Sequence, residues 1–195
     1  MTHYHSDMTT SHTVTPIVPS FRAAEAADIP AIVPLVESAY RGDASRVGWT
    51  TEADFLDGRR TGPDDVGACI ARPRSRILLA ESVLAESAQH QLLACAHVAD
   101  EDGAGYFGMF SVQPGLQNSG IGKAVLAEAE RIVSEEWKLP LMRMTVIDIR
   151  AELIAWYERC GYRRTGITKP FPYGDARFGI PKRDDLRFEI LEKVL

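Results

Sequence analysis

The stretch that decides the fold runs from residue 109 to residue 123 and reads MFSVQPGLQNSGIGK. Its first residues end a strand predicted over 106–112, and Pro114 and Gly115 predict a tight loop over 113–120. From residue 121 onward, apolar side chains recur on one helix face, which predicts a long helix over 121–137. The stretch is therefore a strand, a glycine-containing loop and a helix in immediate succession.

The start of this helix is a suitable place for a phosphate group. The first turn of a helix leaves N–H groups without partners, and the helix dipole adds positive potential there. Gly120 and Gly122 lack a Cβ atom, so an anion can approach the backbone closely. Lys123 can add a positive charge at the rim.

Two well-known phosphate loops do not match these residues. A P-loop requires glycine and Ser/Thr where this chain has Gln117 and Ala124, and a dinucleotide fingerprint requires Gly or Ala at Val125. Two glycines alone favour an ordinary turn over a phosphate site. The order of the surrounding helices and strands is therefore needed to distinguish a phosphate-binding loop from an ordinary turn.

The rest of the chain alternates between strand and helix patterns, which predicts an α/β fold. Preceding the central stretch, we predict strands over 21–24, 76–81 and 91–98, helices over 28–40, 51–58 and 64–72, and a hairpin turn over 100–105. Following it, we predict a strand over 141–147, a helix over 151–160, and a final hairpin of strands 162–165 and 185–194. We expect one domain over residues 20–195, with a mixed, mostly antiparallel, twisted sheet flanked by helices, after a disordered polar tail over residues 1–19.

The composition is that of a soluble globular chain, with 45% hydrophobic residues and a formal charge of −5. Nucleic-acid binding is not expected, because it requires clustered Lys and Arg. No apolar run is long enough to span a bilayer, so no membrane partner is expected. Cys69, Cys95 and Cys160 form no C-x-x-C pair, which favours a reducing, cytoplasmic location and no zinc site. We expect no metal, because His3, His5 and His12 fall in the tail.

Two motifs in order carry a specific resemblance. Gln117, Gly120 and Gly122 match the signature Q/R-x-x-G-x-G/A, and residues 156–162, WYERCGY, match L-Y-E-K-x-G-F with conservative changes. With the long helix and the strand between them, these motifs closely resemble the GNAT superfamily of N-acetyltransferases over residues 21–195.

The resemblance implies that the chain binds acetyl-CoA. The strand around Phe110, Ser111 and Val112 would pair with the pantetheine arm, and the backbone of 117–123 would hold the pyrophosphate. Many family members carry Asn where this chain has Arg150, so the role of that Asn is not transferred. Arg150 can reach the CoA phosphates or the pantetheine amides, or it can lie at a solvated helix start. The residues assigned to the co-substrate are Phe110, Ser111, Val112, Gln117, Asn118, Ser119, Gly120, Ile121, Gly122, Lys123 and Arg150.

The resemblance also implies the chemistry, which is direct attack of an amine on the thioester in a ternary complex. The Val112 amide would polarise the acyl carbonyl, and Tyr157 would stabilise or protonate the departing thiolate. No covalent enzyme intermediate is required, so Cys160 is assigned to the core. The general base stays open. The candidates are Glu37, Glu52, Asp54, His97 and Asp175.

The acceptor is expected to be a primary amine of a small molecule, held by loops 40–61 and 168–182. The residues assigned to it are Tyr40, Trp49, Glu52, Phe171 and Tyr173, although Trp49 and Phe171 can equally seal loops onto the core. The acidic excess of residues 1–137 slightly favours a cationic acceptor. A protein N-terminus or lysine is the alternative acceptor, a non-catalytic acyl-CoA-binding module is the alternative function, and a homodimer stays open.

Overall fold

The structure, a computed structural model, describes residues 18–83 and 90–195. Most of the predicted N-terminal tail lies outside these residues. The helices are α1 (Ile29–Tyr40), α2 (Pro63–Ala71), α3 (Ile121–Arg131) and α4 (Ala151–Arg159). The strands are β1 (Ser20–Ala23), β2 (Leu56–Asp57), β3 (Ser75–Val83), β4 (His90–Glu101), β5 (Ala104–Val112), β6 (Leu141–Ile147), β7 (Arg163–Pro170), β8 (Ile180–Pro181) and β9 (Arg187–Val194).

Seven of these strands form one sheet in the order β1-β3-β4-β5-β6-β9-β7. Every neighbouring pair is antiparallel except β5 and β6, which are parallel. The predicted α/β fold with a mixed, mostly antiparallel sheet is therefore confirmed.

The side chains of β3 alternate between two buried layers. Leu78 and Ala80 belong to the cluster that includes α3 and α4, whereas Ile77 and Leu79 pack with α1 and α2. A strand turns successive side chains to opposite faces, so one strand contributes to both layers. Helices therefore cover both faces of the sheet.

The parallel pair is very short. β5 and β6 are paired only at Gly105–Met142 and Tyr106–Arg143, and no further pairs follow. Just beyond them, β5 carries a bulge opposite Cys95–His97, with Met109 in the left-handed region at φ +48°. The sheet consequently opens between the second half of β5 and the second half of β6.

Two predicted elements differ from the structure. The helix predicted over 51–58 is wrong, because these residues form a turn followed by β2, which pairs with β8. The Glu52 side chain, predicted in a helical first turn, is instead buried by tertiary contacts. The long helix over 121–137 changes at Ile132 into a π-helical turn that ends at Glu136, with the Trp137 N–H donating to the Ile132 carbonyl at 3.0 Å.

Neither membrane spans nor metal clusters occur in the part of the chain that the structure describes. No helix there has the length and apolar character that crossing a bilayer requires. No group of three or more His, Cys, Asp or Glu side chains there is arranged to hold a metal ion.

We predict that Ile154→Ala lowers the free energy of unfolding by about 2–5 kcal/mol. Ile154 is fully buried in the cluster that joins α4 to the sheet, so the truncation leaves a cavity. Urea denaturation followed by circular dichroism measures the change. Ile167→Ala is the control, because Ile167 is 58% exposed and its loss should cost under about 1 kcal/mol. Equal costs for the two substitutions would contradict this packing.

Candidate functional site

Two adjoining cavities lie where the sheet opens. The first, the loop groove, has a volume of about 340 Å³ and runs along the start of α3. It is lined by Trp49, Thr50, Phe110, Val112, Gln117, Asn118, Gly120, Gly122, Lys123, Trp156 and Arg159. The second, the inter-strand cavity, has a volume of about 200 Å³ and lies between β5 and β6. Phe110 lines both, so the two spaces lie next to each other at the end of β5.

The loop groove is built on the start of α3. Gly120 caps the helix in the left-handed region at φ +89°, and its carbonyl accepts the Ala124 N–H at 3.1 Å. Among the described residues, the N–H groups of Ile121, Gly122 and Lys123 have no backbone acceptor. Free N–H groups together with the helix dipole make this end a site for an anion.

Glycine at position 122 leaves room for the two aromatic rings beside it. A Cβ atom at this position would lie 3.2 Å from the Phe110 ring and 3.7 Å from Trp156. Phe110 stacks on Trp156 with a centroid distance of 5.9 Å, and these rings form the apolar wall of the groove. A larger residue at 122 would therefore displace the wall as well as cover the backbone.

The charged side chains of the loop groove are all positive in the described lining. Lys123 and Arg159 are both exposed there, and no carboxylate joins them. The sequence analysis missed Arg159. The available signal was its helical spacing, because Arg159 follows Trp156 by three positions and so shares its face of α4.

The side-chain amide of Gln117 forms hydrogen bonds with two residues of a distant segment of the chain. Its Oε1 accepts the Trp49 N–H at 2.8 Å, and its Nε2 donates to Thr50 Oγ1 at 3.0 Å. A Cβ atom on Gly48 would lie 2.6 Å from this amide, so only glycine allows the contact. Gln117 therefore ties the phosphate-type loop to the segment that leads to Glu52.

The free edge of β5 faces away from β4. The Gln113 N–H bonds to the Leu93 carbonyl at 2.9 Å, and Val112 lies opposite Ala94 in the same register. Because hydrogen bonding alternates along an antiparallel pair, the Val112 N–H points to the opposite side, where β6 is no longer paired. By the same alternation, Ser111 turns its backbone toward β4.

A buried cluster of charged side chains forms part of the wall of the inter-strand cavity. Glu52 accepts from Arg41 through Oε2 and from Arg150 through Oε1, the latter at 3.0 Å. The side chain of Glu52 is 6% exposed, and those of Arg41 and Arg150 are 6% and 9% exposed. Arg150 also donates to the Thr50 carbonyl at 2.6 Å, so it lines this cavity rather than the loop groove.

Glu52 is an ionised carboxylate in this cluster. Burial by itself would raise the pKa of Glu52, but the guanidinium groups of Arg150, Arg60 and Arg41 outweigh that effect and lower it. Tyr157 is buried and lines the same cavity as Glu52. Burial is also the main reason that the pKa of Tyr157 is raised, so its hydroxyl keeps its proton at neutral pH.

Tyr40 connects the cluster to β5. Its hydroxyl donates to the Phe110 carbonyl, and the guanidinium groups of Arg60 and Arg150 lie 5.2 Å and 5.6 Å from its ring centroid. Tyr40, Glu52 and Phe171 all line the inter-strand cavity.

Other predicted residues lie elsewhere. Trp49 lines the loop groove, and Tyr173 lines neither space, because its hydroxyl accepts the Leu186 N–H at 2.7 Å while the side chain is 45% exposed. Ser111, Ser119 and Ile121 also line neither space, and Asn118 lines the groove in the left-handed region at φ +68°.

Among the candidate bases, Glu52 alone lines a cavity in the described residues. The Glu37 carboxylate accepts the backbone N–H groups of Arg60 and Thr61 at 2.6 Å and 3.0 Å. His97 bonds to Ser75 at 2.8 Å, and burial lowers the pKa of His97 to about 4, so it is neutral. The other two candidates form local ion pairs, Asp54 with Arg46 and Asp175 with Arg177.

The order of these elements matches a known family. Residues 73–164, which span β3 to α4 and the loop–helix junction, match the family model described as an acetyltransferase (GNAT) domain. The match to a GNAT acetyltransferase domain therefore covers 92 of the 195 residues. The predicted resemblance is confirmed, and with it the acyltransferase class. Proteins of the GNAT family use acetyl-CoA as their co-substrate.

Solved structures show the same fold at low sequence identity. The ribosomal-protein-alanine N-acetyltransferase from Brucella melitensis is 21% identical with a TM-score of 0.64, over 90% of this chain and 99% of that chain. A putative phosphinothricin N-acetyltransferase is 16% identical with a TM-score of 0.63, over 91% and 99%. A spermidine N-acetyltransferase chimera from Vibrio cholerae and hSSAT is 15% identical with a TM-score of 0.60, over 90% and 95%. No curated protein matches the sequence at a significant level.

The GNAT match does not include the whole site. Arg41, Glu52 and Arg60 precede the matched residues, and Phe171 and Phe178 follow them. The loop groove therefore lies mostly within the matched part, whereas every charged residue of the inter-strand cavity except Arg150 lies outside it.

We predict that Glu52→Gln lowers the free energy of unfolding by about 3–5 kcal/mol at pH 7, because it leaves buried guanidinium groups without their carboxylate. The pKa of Glu52 is lower in the folded chain than its ordinary value of 4.5. Its stabilising contribution is therefore complete above 4.5 and disappears as the pH falls through the folded value.

Urea denaturation of the wild type and the Glu52→Gln variant at pH 7 and in steps below pH 4.5 tests this prediction. The difference in the free energy of unfolding between the two proteins should become smaller as the pH falls below 4.5. Glu135→Gln is the matched control, since Glu135 is 68% exposed and should contribute under about 1 kcal/mol at either pH. A constant difference across the pH series would refute the assignment.

Proposed function

We propose that the chain is an N-acetyltransferase that moves an acetyl group from acetyl-CoA to a primary amine of a small molecule, by direct attack in a ternary complex. The observation that carries this proposal is that the two spaces are adjacent. The loop groove and the inter-strand cavity both have Phe110 in their walls, beside the free edge of β5, and Tyr157 lines the inter-strand cavity.

The loop groove fits the co-substrate. The N–H groups of residues 121–123 and the side chains of Lys123 and Arg159 would hold its pyrophosphate, and the outward-facing Val112 N–H would bind the acyl carbonyl. Acetyl-CoA supplies the activated acetyl group when it is bound. Gln117 would act by holding the loop, because its side-chain amide already bonds to Trp49 and Thr50.

The inter-strand cavity fits the acceptor. Its described lining contains no cysteine or serine that could take up the acyl group, which supports direct attack by the amine. The nearby guanidinium groups disfavour an ammonium ion and so lower the pKa of a bound amine, which must be neutral to attack. The Glu52 carboxylate would orient that amine through a hydrogen bond, and Tyr157 would protonate the thiolate.

The size of the cavity favours a small acceptor. Its volume of about 200 Å³ is below the usual range of ligand pockets, about 300–1,000 Å³. Its walls come from α1, β5, β6 and α4, and from the segments that carry Glu52 and Phe171. Because the cavity is enclosed on several sides, it suits a compact molecule better than a peptide, which would need an open groove.

We predict that Lys123→Ala and Arg159→Ala each weaken acetyl-CoA binding by up to about five-fold, and that the double variant combines the two effects. Both side chains are exposed charges at the groove, so their loss should also reduce the salt dependence of binding. Isothermal titration at two salt concentrations measures this. Lys169→Ala removes an equally exposed charge outside the groove and should bind as the wild type does. The same weakening in all three variants would mean that the groove does not hold the phosphates.

We predict that Tyr157→Phe lowers turnover by about 10²–10⁴-fold, because it removes the proton donor and keeps the ring. The affinity for acetyl-CoA should change little. Tyr162→Phe is the control, since the Tyr162 hydroxyl bonds to Glu130 at 3.0 Å and lines neither space. Steady-state rates of CoA release measure turnover. Near-normal turnover in the Tyr157→Phe variant would assign this tyrosine to packing alone.

A further inference from the structure

The charges that line the inter-strand cavity are unbalanced. The described lining contains three guanidinium groups, those of Arg41, Arg60 and Arg150, and one carboxylate, that of Glu52. Two positive charges are therefore in excess in a small space with aromatic walls. This is the opposite of what the acidic excess of residues 1–137 suggested for the acceptor.

Arg41 has unused hydrogen-bonding capacity. Its Nη1 donates to Glu52, but its Nε and Nη2 are buried and have no hydrogen-bond partner in the described part of the chain. Buried donors without acceptors cost free energy, so they are uncommon in a structural ion pair. Arg41 is thus only partly neutralised by Glu52.

Arg60 is the cation of the cavity that has no carboxylate partner among the described residues. Its guanidinium lies over the Tyr40 ring and lines the cavity, but it forms no salt bridge with any residue that the structure describes. The nearby Glu37 does not line the cavity, and its Oε1 accepts two backbone N–H groups, those of Arg60 and Thr61. Arg60 therefore presents a free planar donor fork to whatever enters.

We infer that the acceptor carries a carboxylate beside its amine, as an amino acid does. Guanidinium groups pair with carboxylates through two parallel hydrogen bonds, and a ligand carboxylate would offset one of the two positive charges in excess. Phe171, Phe178 and Phe188 would contact an apolar side chain. A polyamine would bring further positive charge to the same place and is disfavoured.

This inference rests on the proposed acetyltransferase function and narrows its substrate. A ligand carboxylate would explain why the cavity holds more guanidinium groups than carboxylates, which the packing of the protein alone does not explain. The carboxylate would satisfy the cations, whereas the same cations would keep the neighbouring amine neutral and reactive. Recognition and activation of the acceptor would then come from one cluster.

The wild-type test uses matched acceptors. L-phenylalanine, L-leucine and L-methionine are compared with their primary amides and with their decarboxylated amines, and spermidine and a short peptide with a free N-terminus are included. We expect kcat/KM for the preferred amino acid to exceed that of its amide and its amine by about 30-fold or more, as loss of a buried charge partner does.

Substitution of Arg60 tests the residue itself. Arg60→Gln should reduce the preference for the amino acid over its decarboxylated amine at least about ten-fold, and Arg60→Lys should restore part of it. Arg59→Gln is the control, because Arg59 is exposed and does not line the cavity. Acetyl-CoA titration of each variant shows whether the fold and the donor site are intact.

The outcomes separate the two proposals. If acetyl-CoA binds and amines without a carboxylate, spermidine or the peptide are acetylated as well as the amino acids, the inference is overturned and the acetyltransferase function stands. If Arg60→Gln leaves the preference unchanged, Arg60 is not the carboxylate partner and the inference is overturned for that residue. If acetyl-CoA does not bind and no amine is acetylated, the proposed function itself fails.

Discussion

The site depends on the interruption of pairing between β5 and β6. These parallel strands share only the pairs Gly105–Met142 and Tyr106–Arg143, and the bulge at Met109 follows directly. A continuous ladder would have used the outward N–H of Val112 and closed the space beside Tyr157. Because the pairing stops, one strand edge serves the loop groove and the inter-strand cavity at the same time.

One segment, residues 48–52, joins the two spaces physically. Its Trp49 N–H and Thr50 hydroxyl bond to Gln117, while its Thr50 carbonyl and Glu52 carboxylate bond to Arg150. The loop groove and the ion cluster around Glu52 are thus joined by the same few residues.

The residues inside the family match and those outside it contribute different parts of the two cavities. The matched residues, 73–164, contain β5, α3 and α4, which hold the free strand edge, the helix start and Tyr157. The unmatched parts supply Arg41, Glu52, Arg60 and Phe171. Solved structures of the same fold include proteins whose names are those of a ribosomal-protein-alanine and a spermidine N-acetyltransferase.

The sequence by itself determined the order of elements and the phosphate-type loop, because helical periodicity, strand alternation and glycine positions are local properties. It predicted the strand over 141–147 with the bounds found and identified Gly120 and Gly122. Only the tertiary structure decided that residues 51–58 are not a helix, that Gln117 bonds to a distant loop, and that Arg41, Arg60 and Arg150 surround Glu52. These facts depend on contacts between residues as many as 100 positions apart, and no local pattern encodes such contacts.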